Sequence, residues 1–231
     1  MLPEIDPNEA GKRAAGEAAA ALVEDGMLVG LGTGTTMHHA VAALGRRKLR
    51  IVGVPTSRDT EVLARQLGIE LTEPAGQRLY LALDGADEVE TGTLRLIKGH
   101  GGALLREKIV AEASRRFVVV ADASKIVSRL GSLMPLPVEV ERFGHVATAS
   151  RIAGLGSTPV LRLGADGKPF VTDGGNYVLD CGGFAPILDP FTLERSLRSI
   201  AGVVGTGLFT LPVERVLVGN DDGTVRVISP P

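Results

Sequence analysis

The fold of this chain is decided by residues 81–108, LALDGADEVETGTLRLIKGHGGALLREK. An apolar run over residues 79–83 is typical of a short buried strand, and it ends at an Asp-Gly turn signal. In open α/β sheets, ligands bind beyond the carboxyl ends of the strands. The stretch holds three carboxylates and one lysine around its glycines: Asp84, Asp87, Glu107 and Lys98. The sequence therefore predicts a polar ligand site where this strand ends.

The segment after Lys98 is expected to approach a ligand with its backbone. Gly99, Gly101 and Gly102 follow the lysine, and a helix-forming run begins at Ala103. Glycine permits close approach of the main chain, and the N–H groups at the start of a helix attract anions. The segment is therefore predicted to contact an anionic or polar ligand.

Glu107 is the candidate general base. On the predicted helix, Leu104, Glu107 and Ala111 share one largely apolar face. Burial on that face raises the pKa of a carboxyl group, which suits a base that works near neutral pH. Plainer interpretations stay open, since an Asp-Gly pair is most often only a turn, and Lys98 alone is typical of a protein surface.

The bulk composition is that of a globular protein. The chain has 231 residues, 44% of them hydrophobic and 23% charged, which fits one large domain or a domain with a smaller one. A net charge of -2 and an aromatic content of 3% argue against a nucleic-acid partner. No apolar run is long enough to span a bilayer, and residues 1–10 lack the features of a signal peptide. We therefore expect a cytoplasmic protein without a membrane partner, with its one cysteine, Cys181, in the core.

A strand, a glycine loop and a helix are also predicted near the N-terminus. A strand begins at residue 27 and leads into GLGTGTT at residues 30–36, and a helix follows over about residues 37–44. This arrangement is typical of a phosphate cradle, in which backbone N–H groups and threonine hydroxyls donate to the anion. The match to GxGxxG is partial, so a plain turn is an equal alternative. His38 and His39 are expected on the helix surface or in the core rather than on a metal.

Polar residues follow two further predicted strands. The strand at residues 50–54 leads to Thr56 and Ser57, which are either pocket hydroxyls or helix caps. The strand at residues 117–122 leads to Lys125. Strands and helices that alternate in this way predict a parallel sheet flanked by helices.

Two local features carry weaker expectations. An N-terminal helix is predicted over residues 9–24, with Asn8 as its N-cap and Gly26 as the left-handed residue that closes it. Within the central stretch, Glu88 and Glu90 are expected in a solvated acidic loop.

The pattern of elements changes after residue 131. Residues 132–207 are predicted in the order β-α-β-β-α-β, which is typical of a ferredoxin-like unit. Leu208 and Phe209, with the strands after them, are expected to return to the main sheet. The predicted fold class is α/β: a Rossmann-like, mostly parallel sheet with helices on both faces, plus an inserted ferredoxin-like α+β subdomain. Its boundaries are residues 1–131 with 208–231 for the Rossmann-like catalytic domain and residues 132–207 for the subdomain.

Seven motifs, spread in order over almost the whole chain, resemble those of the type A ribose-5-phosphate isomerases. Their combination is far more specific than any one of them. The motifs are GLGTGTT at 30–36, DGADE at 84–88, KGHGGALLREK at 98–108, ADASK at 121–125, PLPVEV at 135–140, VTDGGN at 171–176 and GVVGTGLF at 202–209.

The resemblance implies roles for individual residues. Glu107 would accept the proton, Lys98 would stabilise an enediolate, and Asp84 would help to open the furanose ring. Asp87, also counted among the catalytic residues, would line the sugar with Asp84. Lys12, which the residues alone place on a solvated surface, would be a phosphate-side cation. The implied substrate-binding residues are Lys12, Thr33, Gly34, Thr35, Thr36, Asp84, Gly85, Ala86, Asp87, Lys98, Gly99, His100, Gly101 and Lys125.

The implied reaction interconverts D-ribose 5-phosphate and D-ribulose 5-phosphate in the non-oxidative pentose phosphate pathway. The resemblance also implies a homodimer or homotetramer that binds a small sugar phosphate and uses no metal or redox cofactor. His100 departs from the family, which often has a third glycine there, and this affects the substrate geometry rather than the reaction class.

Two kinds of rival function are weighed against this one. A sugar-phosphate deaminase or lactonase on a similar sheet would need catalytic groups other than Lys98 and Glu107. A non-catalytic sugar-phosphate sensor would keep the threonine loop and lose the base.

Overall fold

The computed structural model of the chain describes residues 8–230. Its helices are α1 (Glu9–Ala20), α2 (Thr35–Arg47), α3 (Arg58–Gln66), α4 (Leu104–Glu112), α5 (His145–Ala153) and α6 (Pro190–Arg198). Its strands are β1 (Leu28–Leu31), β2 (Val52–Pro55), β3 (Glu70–Leu71), β4 (Leu81–Asp84), β5 (Glu88–Glu90), β6 (Leu96–Ile97), β7 (Phe117–Asp122), β8 (Ile126–Val127), β9 (Leu136–Val140), β10 (Thr158–Leu161), β11 (Tyr177–Gly182), β12 (Val203–Thr206), β13 (Leu208–Phe209), β14 (Arg215–Gly219) and β15 (Val225–Ile228). A short 3-10 helix, Ala123–Lys125, lies between β7 and β8. None of the helices within residues 8–230 combines the length and apolar character needed to cross a membrane.

Seven strands form the main sheet, in the order β15-β14-β7-β4-β1-β2-β3. Neighbouring strands in it are parallel except for the antiparallel pair β14 and β15. The inner strand β7, FVVVAD, is buried along its whole length, as expected for a parallel strand covered on both faces. The predicted mostly parallel sheet is confirmed.

Helices cover both faces of this sheet. Alternate residues of β7 face opposite ways, so Val118 packs in an apolar cluster with α1 and α2, while Val119 packs in another with Val110 of α4. A Cβ at Gly30 in β1 would lie only 2.4 Å from Val110 Cγ1, so glycine allows α4 to approach the sheet closely. This close packing sets the position of the first turn of α4, which carries Glu107.

A second sheet is antiparallel, with its four strands in the order β10-β11-β9-β12. The elements β9, α5, β10, β11, α6 and β12 follow one another in the predicted β-α-β-β-α-β order. Ile152 of α5 and Leu197 of α6 pack in one apolar cluster with residues of this sheet. The division into domains at residues 131/132 and 207/208 stays a prediction.

A third, small sheet has the order β13-β6-β5-β8 and carries part of the central stretch. Leu208 and Phe209 form β13 and pair with β6, so the prediction that they join the main sheet is wrong; β14 and β15 do so instead. The reason is a close backbone approach, since the N–H of Lys98 donates to the carbonyl of Gly207 at 2.9 Å and a Cβ at Gly207 would collide with Lys98 O. This pairing fixes the backbone at Lys98.

The two glutamates of β5 are buried, so the predicted solvated acidic loop is wrong. The carboxylate of Glu88 accepts four consecutive backbone N–H groups of residues 131–134, at 2.7–3.3 Å. Glu90 accepts the hydroxyl of Thr93 at 2.6 Å and lies 3.6 Å from Arg129. Buried carboxylates require such donors, and those of Glu88 come from 43 to 46 positions along the chain, where sequence spacing gives no sign of them.

The end of α1 differs from the prediction. The helix ends at Ala20 rather than near residue 24, and Arg47 of α2 donates to the carbonyls of Ala20 and Val23 at this end. Gly26 has the expected left-handed conformation, with φ of 80°, but it lies in the turn before β1. Asn8 occupies the N-cap position without a capping hydrogen bond from its side chain.

Candidate active site

The end of β4 brings Asp84 against the glycine loop that follows β1. Asp84 Oδ1 accepts the N–H of Gly85 at 2.8 Å and the N–H of Thr33 at 3.2 Å. A Cβ at Gly32 would lie 2.1 Å from Asp84 Oδ1, so this close approach requires glycine. The two loops that were predicted at neighbouring strand ends are therefore joined by one carboxylate.

Lys98 lies at the centre of the charged groups. It follows β6 and is only 2% exposed. Its ammonium group donates to the carbonyl of Gly85 at 2.7 Å and lies 3.2 Å from Asp84 Oδ2 and 3.3 Å from Glu107 Oε1. A buried cation between two carboxylates satisfies the need of buried charges for partners.

Glu107 reaches the same point from the first turn of α4 and is 5% exposed. Its Oε1 faces Lys98, whereas its Oε2 has no hydrogen-bond partner among residues 8–230. The predicted burial of this carboxyl group on the inner face of the helix is confirmed. An oxygen that is buried without a partner is available to a substrate proton.

Burial sets the proton affinities of this cluster. Burial raises the pKa of Glu107 to about 8, the Asp84 carboxylate adds to the rise, and Lys98 opposes it. Burial also raises the pKa of Asp84 in spite of Lys98. For Lys98, burial favours the neutral amine, but Asp84 and Glu107 outweigh it and raise the lysine pKa. The cluster therefore combines a lysine that stays protonated, Lys98, with a carboxyl group that exchanges its proton near neutral pH, that of Glu107.

Asp87 connects the acidic turn to the glycine segment after Lys98. Its Oδ2 accepts the backbone N–H of His100 at 3.0 Å. The His100 side chain is partly buried, and its Nε2 has no hydrogen-bond partner in the described part of the chain. His100 thus contributes its backbone to the geometry of this segment.

A cavity of about 140 Å³ opens over these groups. Its lining contains Glu107 and twelve of the fourteen substrate-binding residues expected from the sequence. The lining residues are Lys12, Thr33, Gly34, Thr35, Thr36, Gly85, Ala86, Asp87, Lys98, Gly99, Gly101, Glu107 and Lys125. Asp84 lies behind this wall in contact with Lys98, and the cavity lining does not include His100.

The start of α2 forms one side of the cavity. The helix begins at Thr35, two residues earlier than predicted, and Gly34 stands at its N-cap with φ of 107°, a conformation that favours glycine. Gly34 has no side chain to cap the first N–H groups, and the first turn has no acidic residue. The dipole and N–H groups of such a helix start favour an anion.

The hydroxyl of Thr33 is held by Thr56 and Ser57, which were predicted as either pocket hydroxyls or helix caps, and Thr60, which was not predicted in the site, lies beside them. Thr33 Oγ1 lies 2.8 Å from both Thr56 Oγ1 and Ser57 Oγ, and Thr60 donates its hydroxyl to the carbonyl of Gly32 at 2.9 Å. Ser57 also caps α3 by accepting the N–H of Thr60 at 3.1 Å. Thr56 and Ser57 therefore support the glycine loop from behind, and nothing in the sequence pattern marks Thr60 for that task.

Asp122 supports the cationic side of the cavity. It ends β7, and its Oδ1 accepts the N–H of Ser124 at 2.9 Å, which shapes the 3-10 helix that ends at Lys125. This role of Asp122 was not predicted, although an aspartate before a short polar turn is a usual capping signal.

His38 is exposed and His39 is partly buried, which fits the expected place on the helix surface, and neither lines the cavity. His39 Nε2 lies 3.0 Å from Glu9 of α1. In the described residues, 8–230, no group of three or more His, Cys, Asp or Glu side chains has the arrangement of a metal site.

Comparison with known proteins identifies the family of this fold and cavity. The model of the family ribose 5-phosphate isomerase A (phosphoriboisomerase A) matches residues 52–223. The chain belongs to the ribose 5-phosphate isomerase A family. The ribose-5-phosphate isomerase A of Thermomicrobium roseum is 49% identical over 219 residues, which is 93% of this chain and 92% of the relative. That of Gloeobacter violaceus is 51% identical over 223 residues, or 95% and 96% of the two chains.

Solved structures of the same family have the same fold. Ribose 5-phosphate isomerase A from Methanocaldococcus jannaschii superposes with a TM-score of 0.91 at 40% identity and covers 96% of this chain and 99% of its own. A D-ribose-5-phosphate isomerase in complex with phospho-erythronic acid superposes with a TM-score of 0.89 at 35% identity, over 96% and 98% of the two chains. The predicted α/β fold class and the predicted family are confirmed.

Proposed function

We propose that this chain interconverts D-ribose 5-phosphate and D-ribulose 5-phosphate by moving a proton between C2 and C1 of the open-chain sugar. The observation that carries the proposal is the buried ammonium group of Lys98, 3.2 Å from Asp84 and 3.3 Å from Glu107 at the wall of a sugar-sized cavity. Membership of an aldose–ketose isomerase family supports it. The reaction needs one base and one stabiliser of negative charge, and the cavity offers both.

Glu107 is the proposed base. In the aldose-to-ketose direction, its carboxylate takes the proton from C2, the C–H electron pair forms the C1–C2 double bond, and the C1 carbonyl oxygen takes up the negative charge. Glu107 then returns the proton to C1, while the O2 proton passes to O1 and O2 becomes the ketone oxygen. A carboxyl pKa of about 8 lets one group both accept and donate near neutral pH.

Lys98 is the proposed stabiliser of the enediolate. Its ammonium group is already oriented by the Gly85 carbonyl and by two carboxylates, so little reorganisation is needed when charge develops on O1 and O2. Donors that are fixed in place before the reaction contribute most when water is excluded, and Lys98 is almost fully buried.

The two aspartates have different proposed tasks. Asp87 lines the cavity, which suits contact with the sugar and the opening of the furanose ring. Asp84 lies behind Lys98 and holds both that lysine and the Thr33 loop. We therefore assign proton transfer in ring opening to Asp87 and place Asp84 as the anchor of the cation.

The phosphate group is proposed to bind at the start of α2. Thr35 and Thr36 supply hydroxyl and backbone donors there, and Lys12 and Lys125 are cations in the same cavity lining. Thr33 also lines the cavity, but its N–H and hydroxyl already donate to Asp84 and Ser57. A doubly charged phosphate is the kind of anion that a helix start with flanking cations favours.

The wider biological setting is also a proposal. We propose that the enzyme acts in the non-oxidative pentose phosphate pathway, in the cytoplasm, as a homodimer or homotetramer. Its proposed partner is the sugar phosphate alone, without nucleic acid, membrane, metal or redox cofactor, because a proton transfer needs no change of oxidation state by an external group. Light scattering of the purified chain tests the assembly, and a monomeric mass would contradict it.

The direct test of the function is ketose formation. The purified chain is incubated with D-ribose 5-phosphate, and D-ribulose 5-phosphate is measured over time. Ammonia release from an amino-sugar phosphate, or acid release from a sugar-phosphate lactone, with no ketose would support the deaminase or lactonase rival. Binding of ribose 5-phosphate without any product would support a sensor.

A further inference from the structure

The glycine segment of the site is held from the second sheet by one arginine. Arg162 directly follows β10, and its Nη1 donates to the carbonyls of Gly99 and His100, both at 2.9 Å. The side chain is 12% exposed. A cation thus reaches two successive peptide groups of the segment that follows Lys98.

Asp180 of β11 orients this arginine. Arg162 Nε donates to Asp180 Oδ2 at 2.9 Å, and Nη2 forms a second, close contact with Oδ1. A two-point pair of this kind fixes the plane of the guanidinium group, which a lysine could not reproduce. The third nitrogen, Nη1, is left to point at the Gly99–His100 carbonyls.

The orientation of the carbonyls decides where the N–H groups point. In a trans peptide the C=O and the N–H point in opposite directions. The peptide with the Gly99 carbonyl carries the His100 N–H, and that group donates to Asp87 Oδ2 at 3.0 Å. The peptide with the His100 carbonyl carries the Gly101 N–H, so this N–H points away from Arg162.

The backbone N–H of Gly101 is available to donate a hydrogen bond to a ligand. Gly101 lines the cavity, and no acceptor within residues 8–230 takes its N–H. Its neighbour across the cavity wall is Thr33, since a Cβ at Gly101 would lie 3.9 Å from Thr33 Cγ2. A positive charge on the carbonyl side of this peptide strengthens the N–H as a donor.

We propose that Arg162 is a positioning residue that holds the Gly101 N–H toward the enediolate oxygens of the substrate. The inference rests on the proposed isomerase function and extends it to a residue outside the cavity. Arg162 touches no reacting atom; it acts through the Gly99–His100 and His100–Gly101 peptides. The donor it orients adds to the stabilisation by Lys98 and acts most strongly when negative charge develops on the sugar.

The test compares Arg162→Met with Arg116→Met. Arg116 forms a similar two-point pair with Glu214, with Nε and Nη2 at 2.6 and 3.0 Å from the carboxylate, and it lies just before β7, at the opposite end of that strand from Asp122. For Arg162→Met we expect kcat with ribose 5-phosphate to fall by about 10–100-fold with KM within about threefold, because a displaced donor is missed mainly in the transition state. For Arg116→Met we expect kcat within about twofold of the wild type.

Arg162→Lys and amide exchange make the test independent of folding. Lysine keeps the charge but not the two-point pair, so we expect kcat between those of the wild type and Arg162→Met. Hydrogen exchange of a peptide covering residues 99–103 should be faster in both variants than in the wild type. Wild-type kcat in Arg162→Met, or a loss carried by KM alone, overturns the proposal. If the wild type makes no ketose, the proposed function fails, and unchanged exchange of the 99–103 peptide then refutes the positioning role separately.

Discussion

Two buried lysines, Lys98 and Lys108, both lie close to the ring of Phe209, with Nζ 5.5 and 5.0 Å from its centroid, and they differ in what else surrounds them. Lys108 Nζ contacts Glu194 at 2.5 Å and the Leu208 carbonyl at 2.7 Å. Lys98 lies between Asp84 and Glu107, at the wall of the cavity. Both pairs are an ammonium group with carboxylates, so burial and charge alone do not separate them.

The difference lies in the oxygens of the carboxylates. Glu194 uses both: Oε1 faces Lys108, and Oε2 accepts the hydroxyl of Thr210 at 3.1 Å. Around Lys98, Asp84 Oδ2 faces the ammonium group at 3.2 Å, whereas Glu107 Oε2 has no hydrogen-bond partner among the described residues. A buried ion pair whose oxygens all have partners stabilises the fold, whereas a carboxylate oxygen without a partner beside a cavity is free to accept a substrate proton.

The proton affinities differ in the same way. Burial lowers the pKa of Lys108 in spite of Glu194. For Lys98, burial is outweighed by two carboxylates, and the pKa is raised. In this cluster, Glu107 is therefore the group that titrates near neutral pH, since burial raises its pKa to about 8. Its neighbour Lys98 stays protonated.

The largest expected effect comes from Glu107→Gln. The amide cannot take a proton from C2, so kcat with ribose 5-phosphate should fall by about 10²–10⁴-fold, the usual contribution of a general base. The free energy of unfolding in urea should stay equal or rise, since a neutral group replaces a desolvated carboxyl. Full activity in this variant would remove Glu107 from the mechanism.

Lys98→Met should lower kcat by about 10²–10³-fold, since it removes the cation that faces the enediolate. It should also lower the free energy of unfolding, because Asp84 and Glu107 are left buried without their shared partner. Steady-state rates and urea titrations measure the two effects. Near-normal kcat in a folded Lys98→Met protein would show that Lys98, like Lys108, is only structural.

The pH profile should show the raised pKa of Glu107. Only the carboxylate form accepts a proton, so kcat/KM should be full above the pKa and fall about tenfold for each pH unit below it. With a free-enzyme pKa of about 8, this acidic limb lies well above the ordinary glutamate value of 4.5. A limb that stays flat down to pH 5 would contradict the assignment, and Lys108→Met should leave the limb unchanged.

Of the changes at Glu107, Lys98 and Lys108, the smallest effect on catalysis is expected for Lys108→Met. We expect kcat within about threefold of the wild type, because Lys108 does not line the cavity. The free energy of unfolding should fall by roughly 3 kcal/mol, the usual cost of leaving a buried charge without its partner. Denaturant unfolding gives this value, and Glu194→Gln is its control. A loss of kcat as large as that of Lys98→Met would erase the distinction between the two pairs.

The sequence predicted which residues lie at the site better than it predicted the contacts that hold them there. Asp84, Lys98 and Glu107 were recognisable because they lie in short motifs at the ends of predicted elements, and parallel strands bring such ends to one edge of the sheet. The neighbour of Glu107 could not be judged in the same way. Helical spacing placed Glu107 on an apolar face, but it did not indicate that Lys108 is also buried and faces Glu194.

What the sequence could not predict are contacts between distant parts of the chain. Arg162 is 62 and 63 positions from the carbonyls that it holds. Leu208 and Phe209 pair with β6, and no local sequence pattern indicates this pairing. The four N–H donors of Glu88 lie in a turn that follows β8. Hydrophobic periodicity reports which face of an element is buried, but it does not report which element covers that face.

The most direct measurement of proton transfer by Glu107 is the exchange of the C2 hydrogen of ribose 5-phosphate in D₂O, followed by proton NMR during long incubation with enzyme. The wild type and Lys108→Met should replace the C2 hydrogen with deuterium, and Glu107→Gln should do so at least about a hundredfold more slowly. Exchange by Glu107→Gln at the wild-type rate would contradict a glutamate that takes and returns the proton.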